Sequence, residues 1–324
     1  MNPSYHVVVG VLTYNSERYL SRFLPTLVAA SERVSAHIVV MDNASTDGSV
    51  AYIQEHYPQI KVIANDNNVG FSAGHNQIIR RAAKAGAQYY ACINPDMILR
   101  EDFLERILTH IYKSENVGSA GGKLLQWDGF MALSEWDKQD NHTIDSVELT
   151  MTPWMQFRER GQNMKDDGKR DENQSVWGIS GAAVVYNMSA LEAVAEKRNG
   201  QWEYFDERIF AYKEDCDLAF RLRQAGYSAA YVAEAAAYHH RSVTQIGRAW
   251  WALGQVIGRQ EKSLFNRSMS FAHQMHLYKK HRTSLPYFQQ FLAFLYHSAM
   301  VVYVFLFERE SFRAWREHEQ RHRK

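Results

Sequence analysis

The stretch HIVVMDNASTDGS, residues 37–49, decides how this chain is organised. It begins as a short, apolar, β-branched run of the kind that forms a buried strand. It then changes abruptly to Asp, Asn, Ser, Thr and Gly. These residues are common in turns, but they also line ligand sites where a strand of an open α/β sheet ends. Asp42, the first residue after the apolar run, is therefore consistent with either role.

The same pattern recurs on both sides of this stretch. Apolar runs alternate with segments of helical spacing, which predicts a mostly parallel sheet flanked by helices. The predicted strands are 6–12, 37–41, 60–64 and 89–93, and the predicted helices are 17–30, 49–56 and 74–85. Three of these strands end in polar loops, at Thr13, Asp42 and Asn94. Because ligands bind beyond the carboxyl ends of such strands, we expect the three loops to meet in one crevice.

Regular structure continues in the second half of the chain. The polar, irregular stretch 126–174 indicates an insertion or a flap rather than a separate domain. Beyond it we predict a strand at 176–186 that is interrupted by Gly178 and Gly181, a helix at 214–225 and a short strand at 229–232. The predicted organisation is one α/β domain over 1–245 and a helical extension, rich in Arg, His and aromatic residues, over 246–324.

Composition excludes several classes of protein. The 324 residues carry a formal net charge of +1, without the basic excess that general nucleic-acid binding requires. The two cysteines, Cys92 and Cys216, lie far apart, so they form neither a zinc motif nor a disulfide framework. The N-terminus has no basic segment before its apolar run, which is too short for a secretory signal. These features predict a cytoplasmic location.

One segment complicates that prediction. FLAFLYHSAMVVYVFLF, residues 291–307, is apolar apart from His297 and Ser298, and basic residues follow it. Its length lies at the lower limit for a membrane span. Three interpretations remain open: a helix at the membrane surface, a short span, or a buried helix in an oligomer such as a homodimer. We favour peripheral contact with the membrane or a packed helix over a span.

Asp96 is the strongest candidate for metal binding. It follows a buried strand within Asn94-Pro95-Asp96, and a carboxylate there can hold a hard divalent cation such as Mg²⁺ or Mn²⁺. Such a cation neutralises the charge of a diphosphate leaving group. Asn-Pro-Asp on its own is also an ordinary turn. The tandem His239 and His240 offer a second ligand, since histidine is a common metal ligand.

Acidic and basic side chains elsewhere suit the same chemistry. Asp215 lies in Glu214-Asp215-Cys216-Asp217 at the start of a predicted helix, where acids are favoured by the helix dipole. It is also our candidate for a general base that deprotonates an acceptor hydroxyl. One carboxylate suffices when the acceptor attacks in a single displacement that inverts the configuration of the attacked carbon. Arg241 and Arg248 are candidates for diphosphate contacts. Asp42 is assigned to binding the heterocyclic base of a nucleotide donor, and Thr13 and Asn15 are expected to line the same pocket. Asp47 is assigned to helix capping.

Several stretches together carry a family resemblance. They are VVVGVLTYNSERYL, VVMDNASTDGS, NDNNVGFSAGHN, INPDMIL, IDSVELTMTPWMQFRERGQNMKDDG, VWGISGAAVVYN and YFDERIFAYKEDCDLAFRLRQAGY, in this order between about residues 5 and 245. The chain resembles glycosyltransferase family 2, and in particular its bacterial rhamnosyltransferase-like branch. The resemblance implies the GT-A fold: a Rossmann-like, mixed but mostly parallel sheet flanked by helices, here with a C-terminal helical extension.

The resemblance also implies roles for particular residues. Thr13, Asn15 and Asp42 correspond to nucleotide-binding positions, and Asn68, Gly70 and Asn76 to a loop that closes over the donor. Asp96 corresponds to the metal-binding acid of the family's DxD motif, Asp215 to its catalytic base, and His239, rather than His240, to a late metal-binding histidine. Asn94 stands where a fuller motif has its first Asp.

The expected function is transfer of a sugar, with inversion, from a nucleoside diphosphate donor to a glycan or lipid-linked saccharide. L-rhamnose from dTDP-L-rhamnose is the first candidate, in synthesis of a cell-surface polysaccharide at the cytoplasmic face of the membrane. UDP-linked hexoses remain an alternative. A sugar nucleotidyltransferase would need a glycine-rich, basic loop where this chain has Leu12-Thr13-Tyr14-Asn15-Ser16, and a non-catalytic nucleotide-sugar binder would not need both Asp96 and Asp215.

Overall fold

The computed structural model describes residues 6–114, 116–127, 142–240 and 263–322. These residues form two compact units. The first contains the described residues up to Thr150 together with 159–207 and 214–240. The second contains 151–158, 208–213 and the described residues from 263 onward. The predicted domain boundary at 245 lies outside the described residues.

The first unit contains a ten-stranded mixed sheet with the strand order β10-β14-β6-β11-β4-β1-β2-β3. Strand β5 adds to β14, and β7 adds to β6. The strands are β1 Val7–Thr13, β2 His37–Asp42, β3 Lys61–Ala64, β4 Tyr89–Ile93, β5 Met97–Leu99, β6 Val117–Gln126, β7 Ile144–Ser146, β10 Gln174–Val176, β11 Ala183–Asn187 and β14 Ser228–His239. Outside this sheet, β8 Glu148–Met151 pairs with β9 Phe157–Arg160, and β12 Glu196–Arg198 pairs with β13 Gln201–Glu203.

Strands β3, β2, β1 and β4 are parallel to one another, whereas β11 runs antiparallel to β4. The helices of this unit are α1 Glu17–Glu32, α2 Ser49–His56, α3 Gly70–Lys84, α4 Phe103–Tyr112, α5 Met188–Ala193 and α6 Glu214–Gln224. The predicted mixed sheet flanked by helices is confirmed.

Strand β1 shows why both faces of the sheet are covered. Successive side chains of a strand point to opposite faces. Val7, Val9 and Val11 belong to the core cluster that includes Phe23 and Leu27 of α1. Val8 belongs instead to the second cluster, which includes residues of α3. A strand buried on both faces is therefore apolar throughout, as the sequence predicted.

Two predicted strands differ from the structure. The strand predicted over 176–186 with interruptions at Gly178 and Gly181 is two strands in the structure, because β10 ends at Val176 and β11 begins at Ala183. Gly178 lies in the break, where an added Cβ would be 2.7 Å from the Cβ of Ala219. The strand predicted at 229–232 extends as β14 to His239. His239 is thus a sheet residue rather than part of a loop after the sheet.

The described part of the second unit is mainly helical. Its helices are α7 Leu264–His281, α8 Tyr287–Phe307 and α9 Arg309–Arg321, and a 3-10 turn, Arg282–Ser284, follows α7. Among the described residues, α8 alone is long and apolar enough to cross a bilayer, with a mean hydropathy of 1.7 over its most apolar 18-residue window. That window is 17% buried, and length and composition alone are weak grounds for a membrane span.

Candidate functional site at the carboxyl edge of the sheet

The loops that follow the parallel strands β1, β2 and β4 lie at one edge of the sheet. Thr13 at the end of β1 is paired in register with Asp42 at the end of β2. Gly10 of β1 is paired with Cys92 of β4, so β4 ends two residues before β1 does, and Asp96 lies three residues beyond the end of β4. The predicted convergence of the three polar loops is therefore present in the first unit.

Asp42 is held by three donors. The Thr13 hydroxyl donates to its Oδ1 at 2.7 Å, the Ser45 hydroxyl donates to the same oxygen at 2.6 Å, and the Ser45 backbone N–H donates to Oδ2 at 2.8 Å. The side chain is buried. A carboxylate has about four lone-pair positions, so one acceptor position remains for a ligand such as a base N–H. Thr13, whose hydroxyl is directed at Asp42, acts here as a support for that carboxylate.

Asn15 ties the loop after β1 to the loop after β2. Its backbone has a φ of 50°, in the left-handed region that Asn tolerates better than most residues. Its N–H donates to the Ser45 hydroxyl at 2.9 Å, and its side-chain oxygen accepts from the Thr46 N–H at 2.8 Å. Asp47 accepts hydrogen bonds from the backbone N–H groups of Glu17 and Ser49, at the starts of α1 and α2. This agrees with its assignment as a capping residue.

Asn68 and Gly70 form the next part of the edge. The Asn68 side-chain oxygen accepts from the Gly70 N–H at 2.9 Å and from the Asn43 amide at 3.2 Å. Gly70 has a φ of 85°, which favours glycine. Asn43 also donates to the Gly70 carbonyl and accepts from Asn65. Sequence reasoning assigned no role to Asn43, although its position directly after Asp42 was a signal.

The side chain of Asn76 is bonded within the protein. Its side chain is fully buried on α3. Its oxygen accepts from the N–H groups of Tyr204 and Phe205, and its amide donates to the Phe205 carbonyl and to Glu207. A direct hydrogen bond from Asn76 to a nucleotide-sugar donor would break one of these bonds. Asn76 therefore fastens the 204–207 loop to α3, and its part in the loop that closes over a donor stays a prediction.

Asp96 faces His239, which a neighbouring strand supplies. His239 pairs with Met97 of β5, and this register sets it beside the preceding Asp96. Their closest atoms, His239 Nε2 and Asp96 Oδ1, are 3.4 Å apart, too long for a strong hydrogen bond. Asp96 Oδ1 is buried and has no hydrogen-bond partner. A buried polar atom without a partner calls for an explanation, and an ion is one.

The other ring nitrogen of His239 contacts a second carboxylate. His239 Nδ1 lies 2.8 Å from Oδ2 of Asp145, a fully buried residue of β7. Burial lowers the pKa of His239, but Asp96 and Asp145 outweigh burial and raise the pKa to about 10. The corner formed by Asp96, His239 and Asp145 thus favours a positive charge. Sequence reasoning missed Asp145, which lies 94 positions from its partner in the chain.

The residues present fit a divalent cation. Asp96 supplies an unpartnered oxygen, and His239 supplies an imidazole whose far nitrogen contacts a carboxylate, as in many metal sites. Among the described residues, no cluster of three or more His, Cys, Asp or Glu has the geometry of a metal cage. Two protein ligands suit a hard cation that takes its other oxygens from phosphate and water.

The side chain of His240 has other partners. Its Nδ1 lies 3.0 Å from the Tyr19 hydroxyl, and its ring is in edge contact with Trp127. The preference for His239 over His240 as the histidine beside Asp96 therefore agrees with the geometry. Arg241 and Arg248, the candidates for diphosphate contacts, lie outside the described residues.

Asp215 is tied to the same edge through the start of β11. Its Oδ2 accepts from the Gly181 N–H at 3.0 Å, and its Oδ1 accepts from the Cys216 N–H at 2.7 Å. The adjacent Ala182 accepts from the Asn94 N–H at 2.8 Å, immediately beyond β4. Asp215 is partly exposed, whereas Asp217 two residues later is fully buried and bonded to Arg221. The two acids of this helix are thus distinguished: Asp215 faces the edge and Asp217 fixes the helix.

Solved structures with this architecture define the class of fold. The chain is similar to GalNAc-T7 with UDP, GalNAc and Mn²⁺, at a TM-score of 0.57 and 13% identity over 74% of this chain and 45% of that one. It is also similar to the mannosyltransferase PcManGT from Pyrobaculum calidifontis in complex with GDP-Man and Mn²⁺, at a TM-score of 0.51 and 16% identity over 98% of this chain and 74% of that one. At these identities the likeness establishes the fold alone, which is the GT-A-like fold.

The family follows from the sequence. Residues 8–194, more than half of the chain, match the model of glycosyl transferase family 2, and the protein belongs to that family. A curated relative is the N-acetylglucosaminyl-diphospho-decaprenol L-rhamnosyltransferase of Mycobacterium tuberculosis, 26% identical over 72% of this chain and 76% of the relative. An uncharacterized glycosyltransferase of Haemophilus influenzae is 27% identical over 36% of each chain.

Proposed function

We propose that this protein is an inverting, metal-dependent transferase that moves a sugar from a nucleoside diphosphate donor to a saccharide acceptor. The observation that supports it best is the sheet edge. There a buried oxygen of Asp96 that accepts no hydrogen bond lies 3.4 Å from His239 Nε2, while the partly exposed Asp215 is held beside the end of β4. One carboxylate suits a cation on the diphosphate, and the other suits removal of a proton from the acceptor.

The chain's own residues divide the chemistry between them. Asp42, fixed by Thr13 and Ser45, keeps one acceptor position for the nucleoside. Asp96 and His239 would hold the cation, and a cation bound there would neutralise the charge that develops on the diphosphate. Asp215 takes the proton of the acceptor hydroxyl as that oxygen bonds to the anomeric carbon. The bond from this carbon to the phosphate oxygen breaks in the same displacement, so the nucleoside diphosphate leaves and the configuration inverts.

The donor and acceptor are proposed from the relatives. The mycobacterial relative is named for transfer of L-rhamnose to N-acetylglucosaminyl-diphospho-decaprenol. We take dTDP-L-rhamnose as the first donor to test and a lipid-linked saccharide of cell-surface polysaccharide synthesis as the acceptor. UDP-linked hexoses are the alternative donors.

The second unit suits work at a lipid surface. Helix α8 has no Asp, Glu, Lys or Arg, and most of its aromatic residues are exposed, with Tyr287 at 90%, Phe288 at 71% and Phe307 at 70%. Basic residues precede and follow it: Lys279, Lys280, Arg282, Arg309 and Arg313. An apolar helix flanked by cations is complementary to the cytoplasmic leaflet, whose surface is anionic. We therefore infer peripheral attachment there.

A donor panel tests the enzymatic proposal. Purified full-length protein is incubated with Mn²⁺ and an N-acetylglucosaminyl-diphospho-lipid, and release of nucleoside diphosphate is compared for dTDP-L-rhamnose, UDP-hexoses and GDP-mannose. We expect acceptor-dependent release with dTDP-L-rhamnose and a product of inverted anomeric configuration by NMR. Release with retention of configuration, or binding without release for every donor, would contradict the proposal.

Vesicle co-sedimentation tests the attachment. We expect binding to vesicles with anionic lipid and little binding to neutral ones, and loss of binding in the double variant Phe291→Ser, Phe305→Ser. Trp202→Ser, which removes an aromatic residue of the first unit that is 51% exposed, is the matched control. Equal sedimentation of the double variant and the wild type would contradict attachment through α8. A concentration-dependent dimer of the wild type that is lost in the double variant would show instead that a second copy of the chain covers α8.

A further inference from the structure

Asp145 is a buried acid of strand β7, and the proposed chemistry gives this side chain no role. It lies in the middle of β7 and its side chain is fully buried. Its Oδ2 lies 2.8 Å from His239 Nδ1. An ionised carboxylate is costly to bury without a partner, and His239 is a partner for this one.

The sheet brings the three side chains of this corner together from separate segments. His239 ends β14 and is paired with Gln126 of β6 on one side and with Met97 of β5 on the other. Strand β7 pairs with β6 one residue earlier, through Leu125 and Ile144. Asp145 therefore reaches His239 across β6, whereas Asp96 reaches it from β5. The imidazole is fixed between two acids that play different parts.

The contact decides which nitrogen of His239 carries hydrogen. A carboxylate only accepts hydrogen bonds, so in the neutral form of His239, which is the form that binds a metal, the one ring hydrogen stays on Nδ1 where it faces Asp145. In that form the Nε2 lone pair is on the side of Asp96. Carboxylate contacts of this kind orient metal-binding histidines and strengthen them as ligands.

We propose that Asp145 is a positioning residue: it fixes the ring and the tautomer of His239 so that Nε2 and Asp96 together bind a divalent cation. This inference rests on the proposed function, because it assigns the cation to Asp96 and His239. It adds a residue that acts without touching the cation, the donor or the acceptor.

The test is the affinity of the full-length protein for Mn²⁺, measured by isothermal titration and by the electron paramagnetic resonance of free Mn²⁺, with and without dTDP or UDP. Asp145→Ala removes both the charge and the acceptor, and we expect its Mn²⁺ affinity to fall about 10- to 100-fold. Asp145→Asn keeps an oxygen that accepts from Nδ1, so we expect a smaller loss. Wild-type affinity in a folded Asp145→Ala protein overturns the inference, and so does wild-type affinity in Asp145→Asn if the alanine variant does not fold.

A double-mutant cycle separates positioning from general support of the fold. If Asp145 acts through His239, Asp145→Asn has no further effect on Mn²⁺ affinity in a His239→Gln background. Equal losses in both backgrounds would overturn the inference. Asp166→Asn is the control, because Asp166 is a carboxylate of the same unit that pairs with Lys123, which Asp171 also contacts. We expect it to leave Mn²⁺ affinity unchanged.

The failure of this inference differs from the failure of the proposed function. A wild-type protein that transfers sugar and binds no Mn²⁺ would remove the cation from the mechanism and Asp145 with it, while leaving the transferase proposal in place. A wild-type protein that binds Mn²⁺ through Asp96 and His239, with affinity independent of Asp145, would overturn the inference alone.

Discussion

Two buried histidines, one in each unit of this protein, have opposite environments. In the first unit, His239 lies between Asp96 and Asp145, and these acids outweigh burial and raise its pKa to about 10. In the second unit, burial lowers the pKa of His273 to about 3, and His318 adds to that effect. The surroundings therefore favour the protonated imidazole at the sheet edge and the neutral imidazole among the helices.

The difference lies in the partners. His273 Nδ1 donates to the carbonyls of Ala211 and Tyr212, at 2.8 and 3.2 Å. His297 stacks on Tyr278, contacts the Ala293 carbonyl through Nδ1 and is bonded to Gln274. These partners are neutral, so a neutral imidazole meets their needs. Histidine beside carboxylates marks a site for chemistry, and histidine beside carbonyls and amides marks support of the backbone.

The largest effect is expected for the other acid of the sheet edge. Asp215→Asn keeps the size of the side chain but cannot accept the acceptor's proton, so we expect kcat to fall about 10³-fold. The Kd for the donor should change by no more than about twofold, because the substitution acts on the transition state rather than on donor binding. Single-turnover kinetics and donor titration measure the two separately. Wild-type turnover in Asp215→Asn would leave the edge without its proposed base.

The next test exchanges a histidine on each side of the comparison. His239→Gln should lower kcat about 10²-fold, since it removes a proposed metal ligand. In a thermal melt, Mn²⁺ at about 100 times its Kd should stabilise the wild type by about 2.7 kcal/mol, and His239→Gln should lose that stabilisation. A full Mn²⁺ shift in this variant would break the distinction between the two kinds of histidine.

The matched change in the helical unit should affect stability instead. His273→Leu leaves the Ala211 and Tyr212 carbonyls without their donor, and we expect the free energy of unfolding to fall by about 2 kcal/mol. This backbone segment is strained, because Tyr212 and the following Lys213 have φ angles of 68° and 79°. Chemical denaturation measures the loss. The variant should keep the Mn²⁺ shift that His239→Gln loses, and the absence of that shift would contradict us.

The sequence predicted the sheet edge because its signals are local. Asp42 follows one apolar run directly and Asp96 comes three residues after the end of another, and a parallel sheet brings such positions together whatever the connecting segments do. The capping role of Asp47 follows from its place just before a helix. The roles of Asp42, Asp96 and His239 in ligand binding stay predictions, although their geometry supports them.

What the sequence did not predict depends on distant contacts. No strand was predicted over β6, because Gly118, Gly121 and Gly122 weaken its β-pattern. The fold requires glycine there: a Cβ on Gly122 would lie 2.0 Å from the Ala235 carbonyl oxygen, and one on Gly121 would lie 2.3 Å from Ile179. Asp145 was missed for a related reason, since its partner comes from another strand of the sheet.

The smallest expected effect concerns pH, and it follows from His297, whose pKa burial lowers to about 4. The ordinary value of 6.5 applies to the unfolded chain, so below pH 6.5 the unfolded chain binds a proton that the folded one does not. The free energy of unfolding therefore falls with decreasing pH, by up to about 1.4 kcal/mol per pH unit for this one group, until the folded pKa is reached. Between pH 7.5 and 5.5 we expect a contribution of about 1 kcal/mol.

His297→Gln isolates that contribution, because glutamine does not titrate. The variant should lose about 1 kcal/mol less stability than the wild type between pH 7.5 and 5.5, in denaturant titrations at each pH. His56→Gln, at an exposed position on α2, is the control and should show the wild-type dependence. If instead the two variants had the same pH dependence, His297 would carry its proton in the folded protein, and the neutral environment inferred from Tyr278, Ala293 and Gln274 would be wrong.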